Sequence, residues 1–133
     1  MDLSHIDLTA IGFVRTDAEK VPRHWTISDQ AGRLELEPEY VAGLKDIQPG
    51  QRLVVIFLFH RSRGFSLDHL RHKPPHLGEV RGIFSTCSPV RPNPIGMSVV
   101  TVEKVEGPVL TVKGIDMLDG TPILDLKPYI EFP

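Results

Sequence analysis

Apolar residues recur at alternate positions in several short runs, the spacing of half-buried strands. Arg33 to Glu37 alternates Leu34 and Leu36 with charged residues. Ala10 to Arg15 reads as a first strand with Ile11 and Phe13 on one side. Arg52 to Phe59 is instead a continuous apolar, β-branched run, predicted as a central strand buried on both faces. Met97 to Val105 and Val109 to Ile115 form a predicted hairpin about Glu106-Gly107-Pro108. Within it Val100 and Val102 share one face, as do Leu110 and Val112, while Thr101, Glu103, Thr111 and Lys113 point outward. A short strand is expected at Arg81 to Ser85, and a last one at Ile123 to Ile130, whose Pro128 suits a sheet edge. Helical spacing occurs once. Pro38 opens a short helix with Tyr40, Leu44 and Ile47 on one face, ended by Pro49-Gly50. His60 to Gly78 has weak periodicity and contains Pro74-Pro75; a loop of this length is functional or mobile. Six or seven short strands and one helix predict an all-β fold, a small closed or nearly closed β-barrel filling one domain over residues 1–133.

Composition bounds the function classes. The chain has 133 residues, 41% hydrophobic and 24% charged, as an ordinary globular domain does. Folding at this size buries roughly two-thirds of the unfolded surface, so a core forms without metal or disulfide. The single cysteine, Cys87, excludes an internal disulfide, and a reducing cytoplasm is the simple expectation. No apolar run approaches membrane-spanning length, and the acidic first 20 residues lack a signal-peptide core, so no membrane association is expected. The absence of a G-x-G-x-x-G after any strand, and of βαβ alternation, excludes a Rossmann-type scaffold.

The net charge of −2 is unevenly spread. Residues 60–91 carry Arg61, Arg63, Arg71, Lys73, Arg81 and Arg91 against Asp68 and Glu79, a local excess of +4, leaving −6 elsewhere. A focused basic surface on an acidic body suits a defined polyanion such as one RNA loop. A solvated loop with incidental charge fits the composition equally well.

Within residues 81–98, Pro89, Pro92 and Pro94 surround Arg91 and Asn93 between two strand-like runs. Each proline fixes its own φ and pushes its predecessor toward extended geometry, so this is a stiff loop ordered before anything binds. Downstream, Asp116-Met-Leu-Asp-Gly-Thr-Pro122 offers two carboxylates and a tight turn at Gly120.

Phe84-Ser-Thr-Cys-Ser-Pro-Val-Arg-Pro-Asn-Pro-Ile-Gly-Met-Ser98 and Asp116 to Tyr129 resemble the signature of the TsaA/TrmO-like family, also called YaeB or VirR-like. Weaker matches follow in order upstream at Ile11-Gly-Phe-Val-Arg15, Val21-Pro-Arg23, Phe57-Leu-Phe-His60 and Pro74-Pro-His-Leu-Gly78. The resemblance implies a small β-barrel that binds S-adenosylmethionine, works as a homodimer and N6-methylates threonylcarbamoyl-adenosine at position 37 of tRNA. The chain departs from the family pattern in two ways. Cys87 stands where an arginine is usual, and the sequence reaches Pro133 just after the Asp125-Leu-Lys-Pro-Tyr129 segment, where longer members continue into a second domain, so a short form is expected.

On that resemblance, three segments are expected to converge on the cofactor. They are the Phe59-His60-Arg61 strand exit, the loop holding Cys87, Arg91, Asn93, Ile95, Gly96 and Met97, and the turn holding Asp116, Leu118, Asp119, Gly120, Thr121 and Pro122. Arg23, His24 and Trp25 join them, with Trp25 stacking on a base or anchoring a loop. Arg61, Arg63, Arg71, Lys73, Arg81 and Arg91 are the expected RNA contacts. A carbamoylated adenine nitrogen is a weak nucleophile, so a general base is expected among Asp116, Asp119 and His60; turn capping suits both aspartates as well. Asp125 and Lys127, two apart on a strand, read as an ion pair. His69, His72 and His76 have a metal-like spacing that Pro74-Pro75 interrupts, and no metal is expected. The same residues suit other readings: transfer to another RNA or a small molecule, or a non-catalytic nucleic-acid-binding barrel.

Overall fold

A computed structural model describes residues 2–74 and 78–131. Its body is a closed antiparallel barrel of six strands. In chain order the strands are β1 (Gly12–Arg15), β2 (Ala31–Leu36), β3 (Arg52–Leu58), β4 (Arg71–His72), β5 (Arg81–Gly82), β6 (Ile95–Glu106), β7 (Val109–Lys113) and β8 (Pro122–Pro128). Around the barrel the order is β1-β2-β7-β6-β3-β8, while β4 and β5 form a separate two-stranded ribbon. The long β6 makes closure possible. Its Ile95–Thr101 half pairs with β3, and its Thr101–Glu106 half pairs with β7. A register shift between Val102 and Lys104 lets one strand serve both neighbours, as bulges do.

Alternate residues of each strand fill the interior. Val14, Leu34, Val55, Val100, Val102, Leu110, Val112, Ile115 and Ile123 are almost wholly buried. The hairpin between β6 and β7 has the expected facing, with Val100, Val102, Leu110 and Val112 inside. Lys127 Nζ lies 2.8 Å from Asp125 Oδ2, the expected ion pair. No helix among the described residues is long and apolar enough to cross a membrane.

Several expected elements change. Gly12 and Val14, not Ile11 and Phe13, face the core in β1, because they lie opposite Leu36 and Leu34 of β2. Only glycine fits there, since a Cβ on Gly12 would lie 2.4 Å from the Glu35 carbonyl oxygen. β3 buries one face, not two: Leu53, Val55 and Phe57 point inward, while Val54, Ile56 and Leu58 are half-buried. A closed barrel has only one inner surface, so its central strands alternate. β8 is not an edge, because it pairs with both β1 and β3; Pro128 is tolerated as its last residue. The expected helix is a 3-10 helix, Pro38–Leu44, with Leu44 buried and Tyr40 exposed. The expected strand at Arg81 to Ser85 is only the two residues of β5, followed by a 3-10 turn at Ile83–Ser85.

Candidate active site

At one rim of the barrel, four stretches of chain enclose a hollow of about 640 Å³. They are the 21–25 loop, the exit of β3, the proline-rich loop leading into β6, and the connection from β7 to β8. The volume lies in the range of small-molecule and cofactor sites.

The β3 exit and the proline-rich loop are tied together. Phe59 N–H donates to the Pro94 carbonyl at 2.7 Å, and the Phe57 and Phe59 rings meet edge to face with centroids 4.9 Å apart. Gly96 of β6 lies under this pair: a Cβ there would come within 2.3 Å of the Phe57 ring and 2.8 Å of the Phe59 ring. The close approach at Gly96 is therefore to protein rings. Arg91 closes the loop from within. Its Nη1 donates to the carbonyls of Thr86 (2.8 Å), Ser88 (3.2 Å) and Ile83 (3.3 Å). One guanidinium nitrogen thus gathers three carbonyls, so Arg91 holds the loop before any ligand arrives.

Asp116 gives the hollow its titratable centre. It is half-buried, and Ser98 Oγ donates to its Oδ1 at 2.5 Å. Burial pushes its carboxyl above the ordinary aspartate range, opposed by the Ser98 hydroxyl, nearby His24 and the Trp25 backbone N–H. Ser28 Oγ donates to the Ile115 carbonyl at 2.6 Å, fixing the residue before it. The Asp116 to Thr121 stretch is locked by Thr121 Oγ1, which donates to the Leu118 carbonyl at 2.6 Å. His24 Nδ1 caps the turn at Trp25–Ile27 by accepting from Thr26 N–H. Phe59, Ile95, Met97 and Leu118 supply apolar wall, and the exposed His60 and Arg61 also line the hollow.

The sequence-selected cofactor residues separate into two groups. Arg23, His24, Trp25, Phe59, His60, Arg61, Cys87, Arg91, Ile95, Gly96, Met97, Asp116, Leu118 and Thr121 line the hollow. Asn93, Asp119, Gly120 and Pro122 do not. Asp119 is turned the other way, its Oδ1 accepting from Thr16 N–H at 3.0 Å. Of the three candidate bases, only Asp116 and His60 therefore face the hollow. Gly120, at φ 82°, donates its N–H to Val14, and Pro122 opens β8 opposite Phe13. Asn93 is exposed, and its carbonyl accepts from Ile95 N–H.

Of the basic residues, Arg63, Arg71, Lys73 and Arg81 are exposed and outside the lining; Arg81 contacts Glu79. Among the described residues no group of three or more histidine, cysteine or carboxylate side chains converges, and His76 lies outside the described residues. Sequence reasoning missed Ser98, Phe57, Thr86 and Met117. Ser98 carried a usable signal: it shares the inward phase of Val100 and Val102, and a hydroxyl there needs a buried partner.

A family model described as the tRNA-methyltransferase O N-terminal domain matches residues 13–132. A probable S-adenosyl-L-methionine-binding protein of Archaeoglobus fulgidus is 40% identical over 127 residues, 93% of this chain and 34% of that relative. A tRNA (adenine(37)-N6)-methyltransferase of Mus musculus is 43% identical over 98 residues, 70% of this chain and 21% of that enzyme. A crystal structure of TrmO from Pseudomonas aeruginosa superposes with a TM-score of 0.74 at 34% identity, covering 95% of this chain and 56% of that one. The chain spans less than two-thirds of the length of each of these three.

Proposed function

Because this chain belongs to the tRNA-methyltransferase O N-terminal domain family, we propose that it methylates tRNA with S-adenosylmethionine as donor, at N6 of threonylcarbamoyl-adenosine 37. The observation that carries this reading is Asp116, a half-buried carboxylate with a raised pKa in a hollow of cofactor size.

S-adenosylmethionine supplies a methyl group on a sulfonium, transferred by in-line displacement. The hollow fits such a donor: Trp25, Phe59, Ile95 and Met97 offer apolar surface for an adenine, and Arg23 and Arg61 offer positive charge for a carboxylate. The residues' first task is orientation, since holding two reactants in register removes most of the entropic barrier. Their second is to take the acceptor's proton. The lone pair of a carbamoylated N6 is delocalised, and a desolvated carboxylate is a stronger base than one in water. Asp116 fills that role. Ser98 donates to one of its oxygens and orients the carboxylate. Arg61, Arg63, Arg71 and Lys73 are exposed, and their charge suits the phosphates of an anticodon loop.

Cys87 favours a second reading. A small cysteine side chain lines the hollow where the family pattern has an arginine, so in this reading the acceptor differs while the donor stays. Mass spectrometry of tRNA nucleosides from a deletion strain, with and without the gene restored, decides between the two. A methylated threonylcarbamoyl-adenosine that depends on the gene supports the first reading. Unchanged tRNA nucleosides, with the demethylated cofactor still binding in calorimetry, support the second. Failure to bind that cofactor product removes both.

A further inference from the structure

Trp25 has two sides. One lines the hollow containing Asp116, and the other lines an outer recess of about 420 Å³ with Arg52, Val99, Thr101 and Lys113. Trp25 sits in a three-residue 3-10 turn that buries none of its residues, so the turn alone does not fix the indole. What meets it from behind is Arg52 of β3. The guanidinium carbon of Arg52 stands 5.7 Å from the centre of the Trp25 ring and 4.4 Å from that of Tyr129. Its Nη1 donates to Glu131 Oε1 at 2.7 Å, and Tyr129 N–H donates to the Arg52 carbonyl at 3.2 Å. The chain beyond β8 thus anchors an arginine whose face supports a wall of the hollow.

We propose that Arg52 is a positioning residue of the cofactor site: held by Tyr129 and Glu131, it sets the Trp25 indole against the hollow. The proposal rests on the cofactor reading above. Arginine suits the task because a planar guanidinium faces two rings at once while its edge hydrogen-bonds, which a lysine ammonium does not do.

Trp25 is the only tryptophan, so tryptophan fluorescence reports on this one side chain. The full chain carrying Arg52→Gln is compared with the parent by acrylamide quenching of Trp25 and by calorimetry with S-adenosylhomocysteine. The expected result is more efficient quenching and roughly three- to tenfold weaker binding, the scale of a partly exposed cation–π contact. Arg52→Lys recovers only part of the loss. A folded Arg52→Gln with unchanged quenching and unchanged affinity overturns the proposal. Should Arg52→Gln not fold, Glu131→Gln, which releases one anchor and leaves both rings, must raise the quenching; no change there overturns it equally. If the parent itself does not bind S-adenosylhomocysteine, the cofactor reading fails, while the quenching comparison still decides whether Arg52 holds Trp25.

Discussion

Asp116 and Ser98 make the sharpest claims at the scale of single residues. Removing the base while keeping its shape, as Asp116→Asn does, should lower methyl transfer by about 10²- to 10⁴-fold, the usual contribution of a general base. Binding of S-adenosylhomocysteine should stay within tenfold; an unchanged turnover rate would retire Asp116 as the base. The raised pKa also has a stability consequence with a definite sign. A carboxyl whose folded pKa exceeds its unfolded value of 3.8 stabilises the fold when protonated, and that contribution is lost as pH rises through the folded pKa. Asp116→Asn does not titrate, so relative to the parent it should gain stability between pH 3.5 and 7. Thermal melts at both values check this, and a constant difference in Tm would contradict it. Asp116 was legible in the sequence as a turn-region carboxylate. Its difference from Asp119 was not, because which of two aspartates three residues apart faces a hollow is set by the turn's direction, and Asp119 caps Thr16 instead.

The proline-rich loop and its neighbours behave as one element. Its stiffness was readable from Pro89, Pro92 and Pro94, but what holds its shape was not. Arg91 read as a ligand for phosphate or cofactor, whereas its Nη1 is engaged by three carbonyls of its own loop. Arg91→Ala should therefore open residues 83–88 to limited proteolysis in the free protein. Cleavage indistinguishable from the parent's would mean that the prolines alone suffice. Where the loop enters β6, Gly96→Ala would drive a Cβ into the Phe57 and Phe59 rings. Overpacking of this kind costs about 1–3 kcal/mol, so a Tm lower by several degrees is expected. A Tm equal to the parent's would show that the ring pair yields freely.

At the scale of the whole molecule, charge and closure matter most. The net charge of −2 hides a basic lobe whose Arg61, Arg63, Arg71 and Lys73 are all exposed. If those four meet phosphates, the log–log dependence of anticodon-loop affinity on salt should have a slope of about −3, at roughly −0.7 per contact to a single strand. Replacing Arg71 and Lys73 with glutamine should make that slope shallower by about 1.4 and leave S-adenosylhomocysteine affinity unchanged. A slope near zero in the parent would remove RNA from the reading. Closure explains the errors in the strand expectations. With no free edge, β8 pairs on both sides despite Pro128, and β3 has one inner face despite an unbroken apolar run.

By itself the sequence determined what depends on local chemistry: strand alternation at Leu34 and Leu36, the hairpin about Gly107-Pro108, the rigidity of the proline loop and the segments that bound the hollow. These follow from φ restrictions, side-chain period and motif spacing, all of which act over a few residues. Tertiary structure alone decided which side chains reach the hollow. Ser98 and Phe57 point into it, Asp119 and Asn93 do not, and Arg52 supports it from behind, because strand register around a closed sheet brings together residues tens of positions apart. No local pattern records that register.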